Sequence, residues 1–386
     1  MAPPPPRPWA DLPPELVSCI ADRLAALRCY LAARGVCKAW RSALEPASPY
    51  VVLRGRRDSE RIRRGRAAVA SIPLQRSFQL PTSHSYNQCI GSSGSWLAFA
   101  HHSQRHVAFF NPLTGRKLKL VLKYPAPHRI VFAPNPSESD FAAVATRRPG
   151  AALLVYVTAR ETTCSSLLIS LRSALVDVVY HAGGAAAGKF YCLLKNGDVQ
   201  ILRAHGDGRR TKPALEPLLG GVLSSSSVSD PAGTFAPPYA ELSEHIRAKH
   251  LVFCEGNLYQ IWRNTGGAMD LQLPGGGSLH VSSDEVFVLR CAPARRPCWE
   301  VVEDMGGHSV FIGSNNAVAV HAEGVAGLKG DCVYWVGPYE LEEAMAMVFD
   351  MKTRRSTPCL PSPVYAIGWY FLGDMARSGT SSAVTT

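Results

Sequence analysis

The spacing of apolar residues changes character once along this chain. From Trp9 to Leu44 they recur at helical intervals, with Leu16, Ile20 and Leu24 every fourth residue on one face. A second helix is predicted to carry Tyr30, Leu31, Arg34 and Cys37 on one side, with Val36, Trp40 and Leu44 extending the apolar surface. Pro13 and Pro14 suit the first helical turn, where a missing N–H costs nothing. Two or three helices this short cannot bury all of these side chains alone, so the segment reads as a small docking module.

Beyond about residue 50, short runs of Val, Phe, Tyr and Leu are separated by Gly, Pro, Asn and Ser, an all-β pattern. The clearest hairpins are Val107–Leu120 and Phe190–Leu202, and others are predicted over 153–169, 251–262, 286–302 and 347–360. The turns fall at intervals of roughly 40 to 60 residues, the period of propeller blades, in which each four-stranded unit stacks on its neighbours to bury both faces. Phe109–Arg116 and Val348–Arg355 share one design, an aromatic strand end, an Asn or Asp turn opener and a basic return strand, and are expected to be equivalent outer hairpins of two blades. The predicted fold is therefore mainly β with a small α N-terminal domain: three helices followed by a six- or seven-bladed β-propeller-like domain. A β-sandwich is the alternative, for which about 330 residues is long.

Composition narrows the setting. The 386 residues are 46% hydrophobic and 18% charged, ordinary for a soluble globular protein, and no stretch is long enough to span a bilayer. Eleven cysteines without a Cys-x-x-Cys pair, and no acceptable Asn-x-Ser/Thr site, point to reduced thiols in the cytoplasm or nucleus. The net charge of +11 is local: residues 1–66 hold 13 Lys+Arg and 6 Asp+Glu, hence +7, leaving +4 for the other 320. Its source is the run Arg54–Arg66, read as a solvated loop because no aromatic residue interleaves the arginines and Asp58 and Glu60 interrupt them; a nuclear-import or nucleic-acid patch is the alternative.

Catalytic and metal motifs are not recognisable. His101, His102 and His106, and Cys291 with Cys298, lack the paired close spacing of a zinc site. Gly275-Gly-Gly277 lacks the Lys-Ser/Thr of a phosphate loop, and Gly91-Ser-Ser-Gly-Ser95 is not a nucleophile elbow. Trp96, Trp262, Trp299, Trp335 and Trp369 are expected to pack between blades.

Leu12-Pro13, Glu15-Leu16, Ile20, Leu24, Val36-Cys37 and Trp40-Arg41 stand at the spacing of the F-box, which this segment resembles. The resemblance implies docking on a Skp1-type adaptor, and through it on a cullin–RING ubiquitin ligase, by Leu12, Pro13, Leu16, Ile20, Val36, Cys37 and Trp40. Ala25, Cys29 and Gly35 depart from the pattern, and Gly35 weakens the second helix by roughly 1 kcal/mol. Gly91–Leu97, Asn111–Gly115, Val176–Tyr180, Gly188–Tyr191, His308–Gly313, Gly327–Trp335 and Phe349-Asp350 together resemble the KIB-type β-propeller that follows the F-box in a large plant family. The expected organisation is a disordered N-terminus over 1–8, an F-box over 9–46, a basic linker over 47–70, the propeller over 71–373 and a disordered tail over 374–386. Leu219–Pro238, rich in Ser, Gly and Pro, is expected to be a surface loop. The implied protein is a non-enzymatic adaptor that needs no cofactor or metal and binds an unknown protein substrate. A propeller enzyme, or a nucleic-acid-binding regulator using Arg54–Arg66, are the alternatives.

Overall fold

The computed structural model describes residues 9–372 except 47, 54–66, 82–87, 101–105, 123–126, 139, 147–149, 161–162, 172, 183–187, 204–214, 219–233, 274–275, 338–344 and 362–365. A 3₁₀ turn (Trp9–Asp11) leads into α1 (Pro14–Asp22), α2 (Leu27–Arg34) and α3 (Lys38–Ala43). Strands follow almost without interruption, grouped into six blades around one axis.

Blade 1 holds β1 (Tyr50–Leu53), β2 (Ala68–Ser71) and β3 (Arg76–Gln79), and blade 2 holds β4 (Gln88–Ser93), β5 (Trp96–Ala100), β6 (His106–Phe110) and β7 (Lys117–Val121). Blade 3 contains β8 (Arg129–Phe132), β9 (Asp140–Thr146), β10 (Leu153–Arg160) and β11 (Thr163–Ser170). Blade 4 contains β12 (Leu175–His181), β13 (Lys189–Leu194), β14 (Val199–Arg203) and β15 (Leu215–Pro217). Helix α4 (Tyr239–His245) precedes blade 5, in which β16 (Ala248–Cys254) and β17 (Asn257–Arg263) pair with β20 (Val286–Cys291) and β21 (Trp299–Val302). A two-stranded arm, β18 (Met269–Gln272) and β19 (Ser278–Val281), is inserted between them. Blade 6 orders β22 (His308–Ile312), β23 (Val318–His321), β24 (Cys332–Val336), β25 (Ala346–Asp350) and β26 (Arg355–Pro358) as β23-β22-β24-β25-β26, with β22 and β24 parallel.

The ring closes when β27 (Ala366–Tyr370) pairs antiparallel with β1, Tyr50 opposite Tyr370 and Val51 opposite Trp369, completing blade 1 as β27-β1-β2-β3. The segment 47–70, expected to be a linker, thus supplies two propeller strands. They were missed because each is only four residues long and the arginine run, itself outside the described residues, stands between them. A second correction concerns Leu219–Pro238, whose last residues do not belong to a surface loop. Phe235 is buried, edge-on to Trp262 at 4.8 Å and stacked with Trp299 at 6.5 Å.

Trp96, Trp262, Trp299, Trp335 and Trp369 are all buried, as their strand positions predicted. The two outer hairpins expected to match do so in detail. Asn111 Oδ1 accepts from the amides of Leu113 and Thr114, and Asp350 Oδ1 from those of Lys352 and Thr353. Each turn then closes through a residue of positive φ whose amide returns to the opener's carbonyl, Gly115 at 2.9 Å and Arg354 at 2.8 Å.

Gly91 shows why one quoted segment has its composition. A Cβ there would lie 2.1 Å from the carbonyl oxygen of Ile130, so only glycine lets β4 lie this close to β8 of the next blade. Gly91→Ala is expected to destabilise the fold by about 3 kcal/mol, an overpacking cost. Gly267→Ala, where a Cβ meets nothing within 4 Å and φ is not positive, should leave the thermal midpoint within ~1 °C of wild type. Thermal unfolding of the two variants side by side tests this.

Candidate docking surface

Two regions gather polar or reactive side chains, the propeller axis and the blade 4–blade 5 junction. Blade-to-blade neighbours β27, β4, β8, β12, β16 and β23, the inner edge strands of the six sheets, line the axis. There Asp177, fully buried on β12, forms an ion pair with Arg129 of β8 and accepts the amide of Leu251 on β16 at 2.7 Å, while His250 Nδ1 stands 3.7 Å away. Arg129 also donates to the carbonyl of Asn315 at 3.0 Å. Asn315 and Asn316, between β22 and β23, carry the tie onward. Asn316 donates its amide to Ser92 O at 2.9 Å and exchanges side-chain bonds with the backbone of Tyr180, and Asn315 Oδ1 accepts from Trp369 N at 3.4 Å. The hydroxyl of Ser92 donates to Trp369 O. All six blades therefore share one polar network. Burial alone would raise the Asp177 carboxyl, but Arg129 first, then the neighbouring His250 and the Leu251 amide, more than offset this and hold it at about 2. Both of its oxygens are engaged, so it is not poised as a general base.

At the blade 4–blade 5 junction, the Lys249 amine lies 2.7 Å from Ser243 Oγ, the spacing of a Ser–Lys pair. The amine also donates to Ser243 O at 2.7 Å and Lys195 O at 3.1 Å and sits 4.9 Å from the Trp262 ring. Three donors thus meet three acceptors, and both side chains are buried. The arrangement is a strut from α4 and the β13–β14 turn to β16. Burial, with Lys195 nearby, lowers the Lys249 amine to about 8.

The N-terminal helices are built differently. In α1 the inward stripe is Val17, Ile20 and Ala21, continued by Leu24 just past the helix end, and it is one residue out of phase with the predicted Leu16 edge. Val17 and Ala21 are buried, Ile20 and Leu24 half-buried, and Leu16 is left 51% exposed. From α2, Leu27, Tyr30 and Ala33 point inward onto Phe78 and Tyr50 of blade 1. Cys37 caps α3, its sulfur accepting from Trp40 N, while the Trp40 indole donates to Trp9 O at 2.8 Å. Both α1 and the 3₁₀ turn pack on α3.

Of the seven residues expected to contact an adaptor, Pro13, Leu16 and Val36 are exposed. Leu12, Ile20 and Cys37 are half-buried, and Trp40 lies inside the helical unit. Trp40 holds Trp9 in place instead of facing outward. Trp9, Leu16 and Val36 are three of the six large apolar side chains exposed among the described residues.

The family model of the KIB1-4 β-propeller matches residues 69–356. The chain belongs to the KIB1-4 β-propeller family. The match begins after the three N-terminal helices, so family membership assigns nothing to them. No curated protein matches the sequence. Among solved structures, the WD40 domain of SCAP from fission yeast is similar at 8% identity, covering 76% of this chain and 78% of that one with a TM-score of 0.30. The complex of the fission yeast SREBP–SCAP binding domains is similar at 10% identity, covering 73% and 68% with a TM-score of 0.29. In the KIB1-4 propeller the quoted segments Gly91–Leu97 and Val176–Tyr180 take in much of the axis-lining β4 and β12, and His308–Gly313 takes in β22, whose Ile312 carbonyl accepts from the Trp369 indole of blade 1 at 3.0 Å. Their shared task is joining blades. Among the described residues no group of three His, Cys, Asp or Glu side chains is placed to hold a metal ion, and no helix is long and apolar enough to cross a membrane.

Two pH dependences follow from the buried charges. Asp177 is held below its ordinary carboxylate value, so its contribution to stability is complete above ~pH 4 and is lost as the pH falls through about 2. Denaturant titrations of Asp177→Asn should show ~3–5 kcal/mol lost at pH 7, because Arg129 is left uncompensated, and a shallower decline between pH 4 and 2. Lys249 works in the opposite sense. Its charged form is disfavoured on folding, so stability should rise as the pH climbs from about 8 toward the ordinary lysine value of 10.5. The difference in stability between wild type and Lys249→Met, followed across that range, isolates this rise from the titration of other groups.

Proposed function

We propose that this chain is a substrate-recruiting F-box subunit of an SCF-type ubiquitin ligase, docking on a Skp1-type adaptor through its N-terminal helices and holding a target protein on its propeller. The observation that carries the reading is the surplus of apolar surface on those helices. Val17, Ile20, Ala21 and Leu24 already complete the stripe that α1 needs for folding, yet Pro13, Leu16 and Val36 remain outside it, with Trp9 alongside. Large apolar side chains kept exposed this densely on so short a segment mark a partner surface. Covering the exposed halves of Leu16 and Val36 contributes ~1 kcal/mol each. Leu12 and Cys37 are half-buried in the same helical unit, and Trp40 holds Trp9 from within it.

The propeller suits the second task. It is a closed scaffold whose blades are cross-tied at the axis by Asp177 and Arg129, and its loops and outer faces are available for protein contacts. Catalysis belongs to the other subunits; this chain contributes proximity, making the meeting of a target lysine with a charged conjugating enzyme effectively intramolecular. A reduced compartment, cytoplasm or nucleus, fits the free cysteines of the described residues.

Replacing Leu16 and Val36 together by glutamate is expected to weaken binding of a recombinant Skp1-type adaptor at least 100-fold, while circular dichroism and thermal midpoint stay at wild-type values because both side chains are exposed. Leu12→Ala with Pro13→Ala should likewise abolish adaptor co-purification. Unchanged adaptor affinity in the glutamate variant would sink the proposal.

A further inference from the structure

Arg76 belongs to blade 1 and lies far along the chain from the helices, yet it makes the most connected contact between the two. Its Nη1 donates to Asp22 Oδ1 at 3.0 Å, and its Nη2 to Ala21 O at 2.9 Å and Leu24 O at 3.0 Å. The guanidinium also lies 5.2 Å from the ring centre of Tyr30 in α2 and 4.6 Å from that of Phe78 in β3. These acceptors sit at the C-terminal end of α1, where backbone carbonyls lack helical partners and carry partial negative charge. At the other end of α1, the N-cap Pro13 supplies no side-chain bond. A nine-residue helix without that cap is too short to persist by itself.

From this geometry we infer that Arg76 is a positioning residue for the adaptor-docking surface: it locks α1, which carries Leu16 and Ile20, onto blade 1, so that the surface is a fixed face of the propeller and not a separately mobile unit. The inference rests on the F-box reading for its functional half. A planar fork is required, because one group must reach two carbonyls and a carboxylate while lying against two rings. Lysine offers a point charge and cannot span these acceptors together. The backbone continues the clamp beside it, Gln79 N donating to Ala25 O at 2.8 Å and Gln79 bridging Ala26. Asp22 is the least important partner, since its side chain is 77% exposed whereas that of Arg76 is 24% exposed.

The test uses the full chain, with hydrogen exchange read by mass spectrometry and titration of a recombinant Skp1-type adaptor. Arg76→Met should raise amide exchange across residues 14–34 at least tenfold, leave blades 2 to 6 protected, and weaken adaptor binding about tenfold. Arg76→Lys should restore part of both, and Asp22→Asn should match wild type. Wild-type exchange and affinity in Arg76→Met would overturn the inference, and so would an equal loss of protection in every blade, which would make Arg76 a general strut. If the wild-type chain fails to bind the adaptor, the F-box reading falls, while the exchange comparison still decides whether Arg76 locks α1.

Discussion

A single buried carboxylate, Asp177, is the point on which the closed ring depends. Six twisted sheets arranged around one axis leave polar backbone at their inner edges, and the buried groups among it must find partners across blades. Asp177 joins blades 3, 4 and 5 through Arg129 and Leu251, while Asn315 and Asn316 tie blade 6 to blades 1, 2, 3 and 4. A buried charge is costly unless paired and hydrogen-bonded, and here both conditions are met. The same satisfaction takes Asp177 itself out of acid–base chemistry. A carboxylate held by a guanidinium and an amide stabilises a ring but has no oxygen to spare for a substrate.

Much of the propeller was legible because its hairpins advertise themselves. Asn111 and Asp350 open identical turns, and the alternating runs on either side set the register. The axis was not legible. Arg129 is 48 residues from Asp177 and 186 from Asn315, and nothing local distinguishes these polar residues from any others on a strand. Asp177 stood inside a recognised segment with no role attached to it. Blade 1 was misjudged for a related reason, since a four-residue strand such as Tyr50–Leu53 is recognisable only once its partner Ala366–Tyr370, more than 300 residues away, is in view. Phe235 was hidden in a stretch whose composition otherwise reads as loop.

The helical segment shows how a periodic pattern is right in kind and wrong in phase. Leu16 and Ile20 do share an edge of α1, with Leu24 just past its end, but burial centres on Val17 and Ala21, and the one-residue shift is what leaves Leu16 outside. Small side chains such as Ala21 and Ala33 weigh little in a hydrophobic count, yet they mark where α1 and α2 lie closest to their supports. The proposed adaptor contact and the internal packing are consequently divided within one short segment, residue by residue.

The pairing of β27 with β1 has a consequence for the order of synthesis. The helices leave the ribosome first, but the sheet on which they rest lacks its inner strand until Tyr370 has emerged opposite Tyr50. A chain cut short before that point carries the proposed docking residues on an incomplete support. Completion of the propeller and presentation of the helices are thereby one event, so that a truncated copy offers that surface on an unfinished fold.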